Sequence, residues 1–84
     1  MEKSTFTREY RLFLATLKDF RQKAGLSQIE LAAKLDQSQS FVSKCERGER
    51  RIDLVQLRLF CQAFGGNLSD FVRAFEAKVA SRKG

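Results

Sequence analysis

The sequence contains no histidine, proline or tryptophan and only two cysteines. Without histidine the chain lacks the commonest zinc ligand, general base and pH switch. It also shows no paired carboxylates in an apolar setting and no nucleophile-base spacing, so we predict no enzyme, no metal site and no cofactor. Cys45 and Cys61 each lie in an apolar helical pattern, and we expect buried, reduced thiols there rather than a disulfide.

Long apolar runs and alternating patterns are missing as well. No segment approaches the roughly 20 apolar residues of a spanning helix, and the N-terminal MEKSTFTREYR lacks the apolar stretch of a signal peptide. We therefore expect a cytoplasmic protein with no membrane partner. The strict alternation of a half-buried strand is absent, and Ala, Leu, Lys, Arg, Gln and Glu favour helix throughout.

The residues that are present predict one small basic domain. A chain of 84 residues has room for a single core, to which eight phenylalanines contribute bulk. We take 1–84 as one domain with its core in 8–80 and frayed termini. Sixteen Lys and Arg against ten acids give a net charge of +6, which is typical of proteins that bind phosphates, although an ordinary solvated surface is an alternative.

Periodicity and capping residues predict five helices. The capping signals are Ser27 with Glu30, then Ser38, Asp53 and Asn67, and glycines follow the first, third and fourth helices. The predicted helices run from near Thr7 to Lys23, from Gln28 to near Leu35, from Gln39 to about Glu46, from an Asp53 cap through Phe64, and onward from Asn67. The predicted core of the middle helices is Leu31, Ala32, Leu35, Val42, Cys45, Leu54, Leu57 and Cys61.

The second and third helices, joined by a short polar turn, have the outline of a helix-turn-helix. The series Ala24-Gly25-Leu26-Ser27-Gln28, Glu30-Leu31-Ala32 and Gln39-Ser40-Phe41-Val42-Ser43-Lys44, continued by Glu46 to Leu54, resembles the phage-repressor-like, or XRE, helix-turn-helix family. The resemblance covers approximately Leu12 to Phe75. It implies an all-α, five-helix lambda-repressor-like DNA-binding domain.

The third helix carries the candidate base-reading residues. Gln39, Ser40, Ser43 and Lys44 have polar side chains suited to base edges in the major groove, and the resemblance makes Gln39, Ser40 and Lys44 the main readers. The alternative is that the first two merely cap the helix and that Lys44 is solvated. Phe41 is expected on the outer face, where a thymine methyl or the second helix can cover its ring.

Other residues are candidates for contacts with phosphates. Ser27 and Gln28 begin the second helix, whose free N–H groups favour an anion, although capping alone also explains Ser27. Arg47, Arg50 and Arg51 follow the third helix and can grip the backbone, or can simply be solvated.

The resemblance also implies a structural ion pair and exposes three departures from the family pattern. By resemblance, Arg21 and Glu46 tie the first helix to the end of the third. Ile29 and Leu59 are apolar where the family usually has polar residues, which can mark a partner surface. Gly66 replaces a β-branched residue, so a looser approach of the fifth helix is expected.

Together these features predict a sequence-specific double-stranded DNA-binding regulator, most simply a repressor. A homodimer would place two reading helices in successive major grooves of an approximately palindromic operator. We place its dimer surface around Leu59, the loop before the fourth helix and the helix at 71–79, although these residues can also complete a monomer's core. The alternative function is a protein-interaction module, such as the antitoxin of a toxin-antitoxin pair.

Overall fold

A computed structural model describes residues 7–81 and contains five helices, with no strand in that range. They are α1 (Arg8–Lys23), α2 (Gln28–Leu35), α3 (Gln39–Arg47), α4 (Leu54–Ala63) and α5 (Leu68–Ala80). The all-α fold class is confirmed, and each predicted boundary lies within one residue of the observed one. The fraying predicted for both termini concerns residues that lie mainly outside the described range. None of these helices combines the length and apolarity needed to span a membrane.

Side-chain caps start the helices where the sequence predicts them. The Ser27 hydroxyl accepts the Glu30 N–H at 3.0 Å, and the Glu30 carboxylate accepts the Ser27 N–H at 2.8 Å. This reciprocal pair satisfies two donors that the first turn of α2 leaves without a helical partner. Asp53 and Gln56 form the same arrangement at α4.

Left-handed backbone residues end α2 and α3. Gly48 follows α3 at φ 81°, and Asp36 follows α2 at φ 57°. Asp tolerates this conformation better than most residues that carry a Cβ atom. The turn that begins at Asp36 directs the chain from α2 into α3, which Ser38 caps.

One hydrophobic core connects all five helices. Its buried apolar residues are Leu17, Leu31, Ala32, Val42, Cys45, Leu57, Phe60, Cys61 and Phe71. The prediction that Leu54 belongs to the core is wrong, because its side chain is 65% exposed. Leu54 shares the helical spacing of Leu57, but it is the first residue of α4 and stands at the edge of the core. Leu35 is half-buried against the core.

Aromatic rings fix α5 against α1. The centroid distances are 5.0 Å for Phe20–Phe71, 5.8 Å for Phe13–Phe71 and 6.3 Å for Phe13–Phe75. Such pairs contribute about 0.5–1.5 kcal/mol each beyond the area they bury. These rings pack α1 and α5 together, and α1 also contacts α3.

A Cβ atom added at Gly66 would meet nothing within 4 Å, so the glycine leaves open space rather than permitting a close contact.

Candidate nucleic-acid interface

The polar face of α3 results directly from the burial of its opposite face. Val42 and Cys45 are fully buried, and helical geometry then turns positions 39, 40, 43 and 44 outward. Gln39, Ser40 and Lys44 are exposed, and Ser43 is half-buried. The structure therefore brings the four polar side chains predicted to read bases onto one surface.

The Arg21–Glu46 ion pair is present where the family resemblance implied it. The Arg21 Nε and Nη2 atoms donate to Glu46 at 2.6 and 3.2 Å, and Nη1 donates to the Leu26 carbonyl at 2.8 Å. Only 10% and 5% of the two side chains remain exposed. The pair therefore joins α1, the loop before α2 and the end of α3 in one buried contact.

Gln28 connects this buried pair to Gln39, the first residue of α3. Its Nε2 donates to Glu46 at 3.0 Å, and its Oε1 accepts from the Gln39 Nε2 at 3.1 Å. The amide of Gln39 is consequently held by a side chain on α2 before any ligand binds. No local sequence pattern predicts these hydrogen bonds, because the partners lie 18 and 11 residues apart.

The Phe41 ring packs partly on the protein. It is half-buried, and its centroid lies 6.3 Å from that of Phe60. The Arg50 guanidinium carbon lies 5.0 Å from the ring centroid. The ring therefore does pack on the protein, but its aromatic partner is Phe60 of α4 and not the second helix named in the expectation. Contact with a thymine methyl stays a prediction.

The three arginines at the end of α3 and in the following loop have different environments. Arg50 lies over Phe41, whereas the Arg51 guanidinium carbon lies 4.7 Å from the Tyr10 centroid on α1. Arg47 donates from Nε and Nη2 to Glu49 at 2.8 and 3.2 Å, and from Nη1 to the Ser43 hydroxyl. All three side chains are exposed, so each is open to solvent at the end of α3 or in the loop that follows it.

Glu49 is the residue of this surface that sequence reasoning missed. Its hydrogen bond and charge interaction with Arg47 lower the pKa of the Glu49 carboxyl and raise the pKa of Arg47. Helical spacing predicts contacts between residues three or four apart, and this pair is two apart across a helix end. The usable signal was Gly48, since a left-handed stop folds the next residue back toward the helix.

The cap of α2 already occupies the Ser27 side chain. The Ser27 hydroxyl is engaged in the capping box, so capping accounts for that residue, and phosphate contact there stays a prediction.

The two apolar departures from the family pattern lie outside the core. Ile29 is 65% exposed on α2, and Leu59 is also exposed on α4.

A family model described as helix-turn-helix matches residues 17–71. No curated protein matches the chain. Among solved structures, an XRE-family like protein from Pseudomonas syringae pv. tomato is 40% identical, with 83% of this chain and 85% of that chain covered and a TM-score of 0.77.

Two other solved structures share the architecture. The clp gene regulator ClgR from Corynebacterium glutamicum is 26% identical over 88% of this chain and 79% of its own, with a TM-score of 0.76. A mutant restriction-modification controller protein is 19% identical over 92% of this chain and 98% of its own, with a TM-score of 0.82. At that identity the second likeness concerns the fold alone.

Proposed function

Because the chain belongs to the XRE family of helix-turn-helix proteins, we propose that it binds double-stranded DNA sequence-specifically and regulates transcription as a repressor. In this proposal α3 enters the major groove, and bound protein blocks access of polymerase to a promoter. The proposal keeps the cytoplasmic location expected from the sequence.

The observation that carries the proposal is the exposed polar face of α3, a helix that a buried ion pair holds in place. Gln39, Ser40 and Lys44 project to solvent from a helix that the buried Arg21–Glu46 pair anchors. Gln39 suits a bidentate contact with adenine, and Lys44 can donate to guanine acceptors. A reading helix that is already rigid loses less conformational entropy on binding, which favours both affinity and discrimination.

Phosphate contacts supply the sequence-independent part of the proposal. Gln28 stands at the N-terminus of α2, with Arg47, Arg50 and Arg51 at the far end of α3. These groups would bind the backbone on either side of the groove that α3 occupies. The net charge of +6 adds a long-range attraction for duplex DNA.

A homodimer is part of the proposal, with α4 and α5 at its interface. Leu54, Val55 and Leu59 on α4 and Val72 on α5 are exposed apolar side chains, as expected of a surface that a second copy covers. Phe71, which the sequence also placed near this surface, belongs instead to the core. Two copies related by a two-fold axis would read half-sites one helical turn, roughly 34 Å, apart.

The named function of one similar structure supports a regulatory role. The 26% identical protein from Corynebacterium glutamicum is a clp gene regulator. We extend a regulatory role to this chain because its α3 carries polar groups suited to base edges.

Selection of random duplex DNA by the purified protein at about 0.1 M salt tests the proposal. The expected result is an enriched palindrome whose half-sites are one turn apart. A variant with both Gln39→Ala and Lys44→Ala is the matched control, because both side chains are exposed and their loss should not unfold α3. The absence of enrichment by the parent protein would contradict sequence-specific binding and would favour the protein-interaction module.

A further inference from the structure

We propose that Glu49 is an internal competitor of the DNA backbone, which holds Arg47 on the protein and thereby limits affinity for every duplex. This inference rests on the proposed DNA-binding function and adds a restraint built into the interface. In the free protein Glu49 binds the Nε–Nη2 edge of Arg47, and a phosphate must displace that carboxylate to use this edge.

Three of the five N–H donors of the Arg47 guanidinium are engaged within the protein. Nε and Nη2 form a two-point contact with the Glu49 carboxylate, and Nη1 donates to the Ser43 hydroxyl. A bidentate contact to a carboxylate uses the same fork of donors that binds a phosphate. A DNA phosphate and the Glu49 carboxylate therefore compete for the Nε–Nη2 edge of Arg47.

The backbone fixes Glu49 in this position. Gly48 turns the chain at φ 81°, and the Glu49 N–H donates to the Lys44 carbonyl at 3.0 Å. This closure of the helix end places the carboxylate beside the last turn of α3. The hydrogen bond and charge of Arg47 lower the pKa of the Glu49 carboxyl, and the charge of Lys44 also lowers it.

Glu49 is the exposed negative charge of this surface. Residues 39–52 contain two acids, Glu46 and Glu49, and Glu46 is buried with Arg21. Glu49 and Arg47 are each 54% exposed, so solvent and salt weaken their attraction. A weak, exposed pair is one that a phosphate can displace, at a cost to affinity.

The effect is expected to be independent of DNA sequence. Arg47 lies beyond the base-reading positions, and contacts to phosphates carry no direct sequence information. Loss of the competitor should therefore strengthen binding to all duplexes by a similar factor. Because Arg47 would then contact one more phosphate, the slope of log affinity against log salt should become steeper by about 0.9.

Glu49→Gln tests the inference by titration of two labelled duplexes, one of mixed sequence and one with that sequence shuffled, from about 0.05 to 0.2 M salt. Binding should be roughly two- to fivefold tighter on both duplexes, the range expected for one exposed ion pair. Asp36→Asn is the matched control, because it also removes one exposed carboxylate close to α3 and keeps a residue that tolerates a positive φ. It should alter affinity less than Glu49→Gln does.

Arg47→Gln separates direct competition from a general charge effect. In that background Glu49→Gln should give no more gain than the Asp36→Asn control. A gain that persists without Arg47, or one no larger than the control in the parent background, would overturn the inference while wild-type binding leaves the proposed function intact. Failure of the wild-type protein to bind either duplex at low salt would overturn both.

Discussion

Arg21 of α1 and Glu46 of α3 form a buried two-point ion pair, with the shortest contact 2.6 Å between Nε and Oε2. The Glu46 Oε1 atom also accepts from Gln28, whose side-chain Oε1 accepts from the Gln39 Nε2. Three charged or polar contacts thus connect α1 to Gln39, the first residue of α3. The orientation of α3 depends on this pair as well as on the packing of Val42 and Cys45.

Replacement of one partner of this pair should strongly destabilise the fold. Arg21→Met leaves the Glu46 carboxylate buried without its cation, which costs about 3–5 kcal/mol in comparable buried pairs. The free energy of unfolding, measured by urea denaturation, should fall accordingly.

Arg73→Met is the matched control for that measurement. Arg73 pairs with Asp70 at 3.3 Å, but both side chains are largely exposed, so a loss below about 1 kcal/mol is expected. The double change Arg21→Met with Glu46→Leu should cost less than Arg21→Met alone, because no charge is left buried. Equal losses of unfolding free energy for Arg21→Met and Arg73→Met would show that the buried Arg21–Glu46 pair contributes no more than an exposed pair.

Local signals made the helices and most of the core predictable. Caps such as Ser27 with Glu30, and stops such as Gly48, act within a few residues and need no tertiary information. Leu54 was misassigned because spacing identifies a face of a helix but not how far along that face the core extends. The shared surface of Gln39, Ser40, Ser43 and Lys44 likewise followed from the apolar pattern of α3.

Contacts between distant side chains were not predictable in the same way. The bonds from Gln28 to Glu46 and Gln39 depend on how α2 crosses α3, which no local pattern specifies. The contact of Arg50 with Phe41 depends on the path of the loop after Gly48. The Arg21–Glu46 pair was expected through the family resemblance alone, since 25 residues separate its members.

Gln28→Ala should weaken binding to every duplex and also reduce discrimination at the base pair that Gln39 contacts. The first effect follows from loss of a phosphate contact at the N-terminus of α2, and the second from loss of the acceptor that holds the Gln39 amide. Competition titrations with single-base variants of the selected operator measure both effects. Lys34→Ala, an exposed change on the same helix, is the control, and unchanged affinity of Gln28→Ala would rule out the phosphate contact.

Lys44→Ala should lose about 1–3 kcal/mol of binding free energy on the selected operator and relax the preference at one base pair. Lys44 is exposed on the outward face of α3, so the change should leave the fold intact. Lys18→Ala, an exposed lysine of α1, should have a much smaller effect. Losses of equal size on every sequence would instead identify Lys44 as a phosphate contact.

Both cysteines should react slowly in the folded protein. Burial raises the pKa of the Cys45 and Cys61 thiols, so the reactive thiolate forms only as the pH rises above the ordinary range for cysteine. Alkylation by iodoacetamide at about pH 8, followed by mass spectrometry, should be far slower in buffer than in urea. Rapid modification of native protein at that pH would show that the core opens readily or that a thiol is accessible.

Leu54→Asp should dissociate the proposed dimer without unfolding the monomer. Leu54 is 65% exposed at the start of α4, and surface changes away from special features usually alter stability by no more than about 0.5 kcal/mol. Sedimentation velocity should then show a monomer, and binding to a palindromic duplex should weaken more than binding to a single half-site, since the second copy no longer contributes.

Ile29→Asp offers an equal control, because Ile29 is also 65% exposed but lies on α2. If Ile29→Asp dissociates the dimer and Leu54→Asp does not, the interface lies on α2; a wild-type monomer both free and on DNA would contradict the dimer itself.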